Sequence, residues 1–250
     1  MINLFDFTGK NILITGAGTG IGKETAIQLH KAGAKLIILD KDEKAMQEVA
    51  ANLGSYVVYY AADLSATASL APLLKTVIAK SGPLDGFVHC VGVRSRRPIN
   101  LIKPEEVHQI MNINFVAFIE MVRLITRKGN FNPGLSIVGI SSIASIRGGA
   151  GVTLYAASKA AMDAAVRCLA KELAPKNIRL NTVMPAQINT PAYDNLRTMS
   201  GDAEDATLNR QYLGLGEPID VANAIVFLLG TGSGFISGSA IPVDGGFLTT

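Results

Sequence analysis

The chain has 250 residues, 48% of them hydrophobic and 17% charged, with a formal net charge of +3. That supplies a sizeable core within one domain, residues 1–250, and the mild, dispersed charge argues against nucleic acid, which requires a clustered basic face. No stretch reaches the roughly 18 apolar residues of a membrane span, residues 1–11 lack the basic start and apolar run of a signal peptide, and Cys90 and Cys168 have neither CxxC spacing nor metal-binding neighbours; the expectation is a cytoplasmic protein with reduced thiols and no membrane partner.

Lys10–Thr15 reads as a short apolar strand that runs into Gly16-Ala17-Gly18-Thr19-Gly20-Ile21-Gly22. A helix to about Ala32 follows, and Ala34–Leu39 forms a second strand ending at Asp40. This is a βαβ unit of about 30 residues. Small residues in its turn let the backbone approach a pyrophosphate, and the helix N-terminus behind them offers unpaired N–H groups and the positive end of the helix dipole. A tight turn without ligand has the same glycines; the flanking strand and helix, and Asp40 twenty residues past Gly20, favour a nucleotide. At the end of the second strand, Asp40 accepts hydrogen bonds from ribose hydroxyls and repels a 2′-phosphate. Thr19 carries no charge and Lys41 is the cation nearby in sequence, so NAD is expected over NADP. As an alternative, Asp40 is a helix N-cap.

Strands and helices then alternate: Tyr56–Ala61 strand, Ala66–Ser81 helix, Leu84–Val91 strand, Glu105–Arg127 helix, Leu135–Ile140 strand, Leu154–Ala174 helix and Ile178–Val183 strand. A polar, irregular stretch, 193–217, carries Asp202, Glu204 and Asp205 before Pro218–Leu229 and Ala240–Val243 resume the pattern. Continuous apolar strands separated by helices predict an α/β protein: a Rossmann-like, doubly wound parallel sheet of about seven strands with helices on both faces.

Tyr155 and Lys159, four residues apart, share one face of the apolar helix 154–174. There a lysine cation favours phenolate and lowers the phenol pKa, so that Tyr155 exchanges a proton with an oxygen on a reacting carbon. The same pair also suits an ordinary helix with one aromatic and one snorkelling lysine. Ser142, thirteen positions upstream, and the glycine-rich turn shift the balance toward chemistry; Ser142 could otherwise cap the turn after its strand. His30, His89 and His108 lack metal-ligand spacing, and no metal is assigned.

Taken together, these residues resemble the short-chain dehydrogenase/reductase family in its single-domain branch. The resemblance covers the whole chain: Thr15-Gly16-x3-Gly20-Ile21-Gly22, Asp63-Leu64, Asn114, Ser142, Tyr155-x3-Lys159, Pro185-x4-Thr190, Gly216-Glu217-Pro218-x-Asp220-Val221-Ala222 and Val243-Asp244-Gly245-Gly246. It implies that Asp63 meets the adenine amino group beside the Leu64 backbone, that Ile188 and Thr190 hold the carboxamide, and that Lys159 bonds the nicotinamide ribose. It implies further that Asn114 binds a relay water reaching Lys159. Tyr155 becomes the acid or base, and Ser142 donates to the carbonyl oxygen. Two departures stand out. The family's Asn-Asn-Ala-Gly is His89-Cys90-Val91-Gly92 here, which removes two strand-stabilising amides and sets a bulkier Val91 beside the cofactor ribose, and its Pro-Gly is Pro185-Ala186.

The expected activity is hydride transfer between nicotinamide and a secondary alcohol or ketone, with a 3-oxoacyl thioester, similar to 3-oxoacyl-[acyl-carrier-protein] reductases, as the leading substrate. A sugar, polyol or steroid dehydrogenase of the same fold is the alternative, and a silent NAD-binding sensor is an alternative of another class. Arg94, Arg96, Arg97 and Arg147 fall near the expected mouth, where they either attract an anionic substrate or form a solvated rim. Residues 192–215, with Tyr193, Leu196 and Met199, are expected to form a substrate lid or plain loop anchors. Apolar excess on helices 105–127 and 154–174, which the family pairs between subunits, predicts a homotetramer.

Overall fold

The computed structural model of the chain describes residues 4–194 and 208–249. Leu196, Met199, Asp202, Glu204 and Asp205, and with them most of the expected lid, lie outside the described residues.

Seven strands, β1 (Asn11–Thr15), β2 (Lys35–Asp40), β3 (Val57–Ala61), β4 (Leu84–His89), β5 (Phe131–Ile140), β6 (Arg179–Pro185) and β7 (Ala240–Val243), form one sheet in the order β3-β2-β1-β4-β5-β6-β7. Every neighbouring pair is parallel. Parallel neighbours need crossovers, and helices supply them: α1 (Gly20–Lys31), α2 (Glu43–Leu53), α3 (Leu70–Ser81), α4 (Pro104–Met111), α5 (Ala117–Ile125), α6 (Thr153–Leu173) and α7 (Pro218–Leu229). No described helix is long and apolar enough to cross a membrane.

Alternation along each strand sorts the core into two sides. Leu13, Ile37, Phe87 and Ile137 pack with α3, α5 and α6, while Ile12, Ile14, Ile38 and Val138 pack with α1, α2 and α7. Both sides are buried, which is why the strands read as unbroken apolar runs. The strand order reverses between β1 and β4, where Thr15 lies beside His89. Their carboxyl ends therefore diverge and open a crevice.

Three local features depart from the sequence expectation. The helix α2 was not anticipated, although Met46, Val49, Ala50 and Leu53 recur at helical spacing; Met46 and Val49 are the residues buried on it. Its N-cap is Asp42, which accepts from the Ala45 N–H at 3.1 Å, so the cap sits two residues past Asp40. The expected single helix 105–127 is two helices joined by a π-turn, Asn112–Val116. A π-turn carries one extra residue per turn, and here it lets the buried Asn114 face the loop after β4.

His89 fills the buried end of β4 between the rings of Phe87 and Phe118, at 6.0 and 5.5 Å. Its Nδ1 lies 3.0 Å from Thr15 Oγ1, while Nε2 has no hydrogen-bond partner among the described residues. Burial first, and then the Lys159 cation, push the imidazole down to about 3 from an ordinary 6.5, so the ring is neutral. The unfolded chain takes up a proton near pH 6.5 that the folded chain refuses until about 3. This contribution to stability is thus complete above pH 6.5 and is lost as pH falls through that window, by a few kcal/mol in all. Urea unfolding at stepped pH is expected to show His89→Asn losing less stability than the parent between pH 6 and pH 4; parallel acid profiles would refute a buried neutral imidazole.

Candidate active site

The crevice begins at the β1–α1 turn. Gly16 adopts φ +71°, a Cβ added to it would lie 3.0–3.2 Å from the Cys90–Val91 backbone, and a Cβ on Gly22 would run into the Gly16 carbonyl. Both positions exclude side chains and bring the turn against β4. Thr19 precedes α1 in an extended conformation and makes no side-chain cap bond. The first-turn N–H groups of α1 are therefore uncapped by it, which suits a bound phosphate.

From this turn a groove runs past Asp40, Lys41, Asp63 and Leu64 on one side and Cys90, Val91 and Gly92 on the other. Thr19, Gly20, Ile21 and Thr190 line it as well. Gly18 does not; its N–H donates to Asp40 Oδ2 at 3.0 Å and holds the carboxylate at the end of β2. Asp63 Oδ1 accepts from both the backbone and the hydroxyl of Ser65, at 2.9 and 2.7 Å, and these bonds keep its carboxyl below the usual range. These residues fit a dinucleotide: an anion-accepting helix end, a carboxylate at the end of β2 lining the same groove and a turn whose space Cβ atoms would fill.

The groove continues into a pocket lined by Ile21, Ser142, Tyr155, Lys159, Pro185, Ile188 and Tyr193. Tyr155 and Lys159 project from the first turns of α6 and are buried. Lys159 Nζ donates to the Ile140 carbonyl at 2.6 Å and lies 5.9 Å from the Tyr155 ring centroid. Ser142 Oγ accepts from the Ala144 N–H at 3.1 Å, and its own hydroxyl proton favours the phenolate form of Tyr155. Burial raises the phenol pKa, but the Arg94 guanidinium, then Lys159, then hydrogen bonds with Ser142 and Arg94 outweigh it, and the net shift is downward. Burial lowers the Lys159 pKa, against the opposing pull of Tyr155, Asp163 and Cys90. The same burial pushes the Cys90 thiol up to about 12, so it is inert.

Asn114 stands behind the pocket. Its Nδ2 donates to Val93 O and Ser158 Oγ, both at 2.9 Å, and its Oδ1 accepts from Val93 N at 2.7 Å. Both amide protons are thereby used within the protein. Ser158 in turn donates to the Tyr155 carbonyl at 2.8 Å. The side chain thus ties the loop bearing Arg94 to the helix bearing Tyr155.

Sequence reasoning missed Asp163 and Phe247, and it placed Arg94 and Arg147 at the mouth without their aromatic partners. Asp163 accepts from Ser141 Oγ at 2.8 Å and Thr182 Oγ1 at 2.7 Å, pinning α6 to β5 and β6. Its position four residues after Lys159 put it on the same helix face. Arg94 lines the pocket with its guanidinium carbon 5.5 Å from the Tyr155 ring. Beyond Tyr155 and Ser142 a second cavity is lined by Arg147, Val152, Gln187 and Phe247. Phe247 follows β7 directly, and the rule that ligands gather past strand carboxyl ends pointed to it.

A family model described as enoyl-(acyl carrier protein) reductase matches residues 16–248. An L-xylulose reductase of Caenorhabditis elegans is 36% identical, covering 97% of this chain and 97% of its own. A 3-oxoacyl-[acyl-carrier-protein] reductase of Thermotoga maritima is 32% identical, covering 96% and 98%. Among solved structures, a short-chain dehydrogenase/reductase described as a glucose/ribitol dehydrogenase, from Brucella melitensis, superposes with a TM-score of 0.91 at 30% identity, over 98% of this chain and 99% of that one. The structure of ElxO with NADP bound superposes at 0.86 and 26% identity, over 96% and 99%.

Removing the Arg94 cation and its hydrogen bond should return the phenol toward the range of exposed tyrosines. The ultraviolet titration difference between the parent and Tyr155→Phe isolates this one phenol. In an Arg94→Gln background that difference is expected at higher pH; an unmoved titration would deny Arg94 any influence on Tyr155.

Proposed function

The chain belongs to the short-chain dehydrogenase/reductase family of oxidoreductases, and we propose that it transfers hydride between a nicotinamide cofactor and a secondary alcohol or ketone. The observation that carries the reading is one arrangement: a buried phenol that shares one pocket with Ser142, Arg94 and Lys159, at the end of a groove that starts at the N-terminus of α1, which Thr19 does not cap. When bound, the nicotinamide supplies or accepts the hydride. The chain's own groups handle the oxygen. Tyr155 gives its proton to the carbonyl oxygen in reduction and removes the alcohol proton in oxidation. Ser142 donates to the same oxygen, its own acceptor site being occupied by the Ala144 N–H. Lys159, anchored on the Ile140 carbonyl, is the ribose ligand and holds the phenol acidic. Asn114 acts as a positioning residue through Val93 and Ser158.

The cofactor is an NAD(P), and we favour NAD. Asp40 is held with one oxygen on Gly18 N–H and the other turned toward Asp42 N–H at 3.2 Å. A carboxylate so fixed at the end of β2 accepts ribose hydroxyls and repels a phosphate. Lys41 beside it is the group that would make NADP tolerable, and ElxO is a relative of this fold with NADP bound.

The substrate proposal is a 3-oxoacyl thioester, supported by the T. maritima relative; a ketose or polyol is the second reading, supported by the C. elegans one. Arg94, Arg147 and Tyr193 are proposed to contact it, with 192–215 as the lid on a single domain. A cytoplasmic homotetramer is proposed as the working form; the fully exposed Phe235 and the exposed Val116 supply apolar surface for subunit contacts, and light scattering tests it.

Tyr155→Phe is expected to retain cofactor binding and to lose about 10²- to 10⁴-fold in kcat. The assay is oxidation of NADH and NADPH over ketones, keto-sugars, steroids and 3-oxoacyl thioesters. Turnover by Tyr155→Phe at the parent rate would refute the mechanism, and tight NADH binding with no turnover on any carbonyl would favour a sensor. A kcat/KM higher with NADPH than with NADH would refute the cofactor preference.

A further inference from the structure

Resting on the oxidoreductase reading but departing from its thioester substrate, we propose that the cavity beyond Tyr155 and Ser142 is a carboxylate-binding subsite with Arg147 as its principal ligand, so that an oxo acid is the preferred substrate. The cavity is lined by Arg94, Arg96 and Arg147, and its described lining includes no aspartate or glutamate. Arginines gathered round one concave space focus a positive field into it.

Arg147 is the residue built for the task. Its guanidinium carbon sits 4.3 Å from the centroid of the Phe247 ring. Contact with the ring holds the guanidinium in place and removes part of the side-chain freedom that binding would otherwise cost. The guanidinium fork matches the two oxygens of a carboxylate in a bidentate pair. Phe247 is itself buried, so the platform is rigid. The Arg210 guanidinium carbon lies 4.9 Å from the same ring and adds to the local charge. Arg94 serves the other end of the cavity: its guanidinium carbon lies 5.5 Å from the Tyr155 ring, which puts it on the phenol side and not at the far wall. An oxo acid fits this layout, with its carbonyl oxygen on Tyr155 and Ser142 and its carboxylate on Arg147. A thioester of the same acyl chain has no charge at that end.

The test uses matched pairs, each a 2-oxo or 3-oxo acid, its methyl ester and its thioester, assayed with NADH and NADPH on the full chain. The acid is expected to exceed its ester in kcat/KM, and Arg147→Gln to reduce that acid-to-ester ratio about 10- to 100-fold, mainly through KM. Arg147→Lys is expected to recover part of the ratio, because charge returns without the fork. A second readout needs no turnover: saturated carboxylic acids of the same lengths should raise the melting temperature of the parent and not of Arg147→Gln, whose own melting temperature shows whether it folds. Esters or thioesters preferred over acids in every pair would overturn the subsite while leaving the oxidoreductase reading in place. Acids that neither react nor shift the melting temperature would also overturn it. An Arg147-dependent melting shift with no turnover on any carbonyl would keep the subsite and sink the oxidoreductase reading instead.

Discussion

The site depends on the docking of α6 across the carboxyl ends of β5 and β6. Asp163 takes hydrogen bonds from Ser141 and Thr182, and Lys159 donates to the Ile140 carbonyl. Three polar contacts thus join the middle of one helix to two strand ends. Burying a carboxylate and an ammonium costs several kcal/mol each, and hydrogen bonds to charged groups return about 1.5–3 kcal/mol apiece. The two sides nearly balance, so the contacts add little net stability. What they supply is register. Tyr155 lies one helical turn before Lys159 and two before Asp163, and Ser142 follows Ser141, so fixing the helix on the strands brings the phenol and the serine hydroxyl into one pocket.

Features with a period or a local rule behind them were legible in the sequence. Strands buried on both faces read as apolar runs, glycines at Gly16 and Gly22 marked a turn with no room for side chains, and the spacing of Tyr155 and Lys159 put them on one face. Features that depend on distant segments were not legible. The π-turn at Asn112–Val116 has no distinct composition; it forms because Asn114 finds two backbone partners at Val93, across the chain. Arg94 read as a rim residue because nothing local says that its loop folds back over Tyr155. Phe247 is one aromatic near the end of the chain, and its role follows only from where β7 stops. Asp42 and Asp40 compete for the same cap, and two residues of spacing decided which side chain reached Ala45.

The His89-Cys90-Val91-Gly92 stretch shows how a departure from the family pattern is accommodated. An imidazole and a thiol replace two amides beside the Lys159 ammonium. Both can carry charge, yet burial keeps the ring deprotonated and the thiol protonated, so both remain neutral. Lys159 accordingly meets no competing formal charge from β4. Its electrostatic support comes from Asp163 and the phenol, and burial works against it. The chain thus keeps the charge pattern of the site with different chemistry, at the expense of one imidazole nitrogen left without a described partner.

Two cations on one phenol raise a directional question. A phenol ionised at the working pH is available as a base for alcohol oxidation but has no proton to give in carbonyl reduction, and proton transfer is most effective when the pKa lies near the working pH. Lys159 is fixed by Ile140, so its influence is constant. Arg94 is exposed and reaches the phenol from a loop, so its influence changes with what occupies the cavity. A substrate carboxylate on Arg147 brings negative charge into the space that Arg94 also lines, and it offsets part of the arginine field at the phenol. Proton affinity then rises at Tyr155 as the oxo acid arrives, which is the direction that reduction requires. The same cavity would in this way recognise its substrate and set the acid that acts on it.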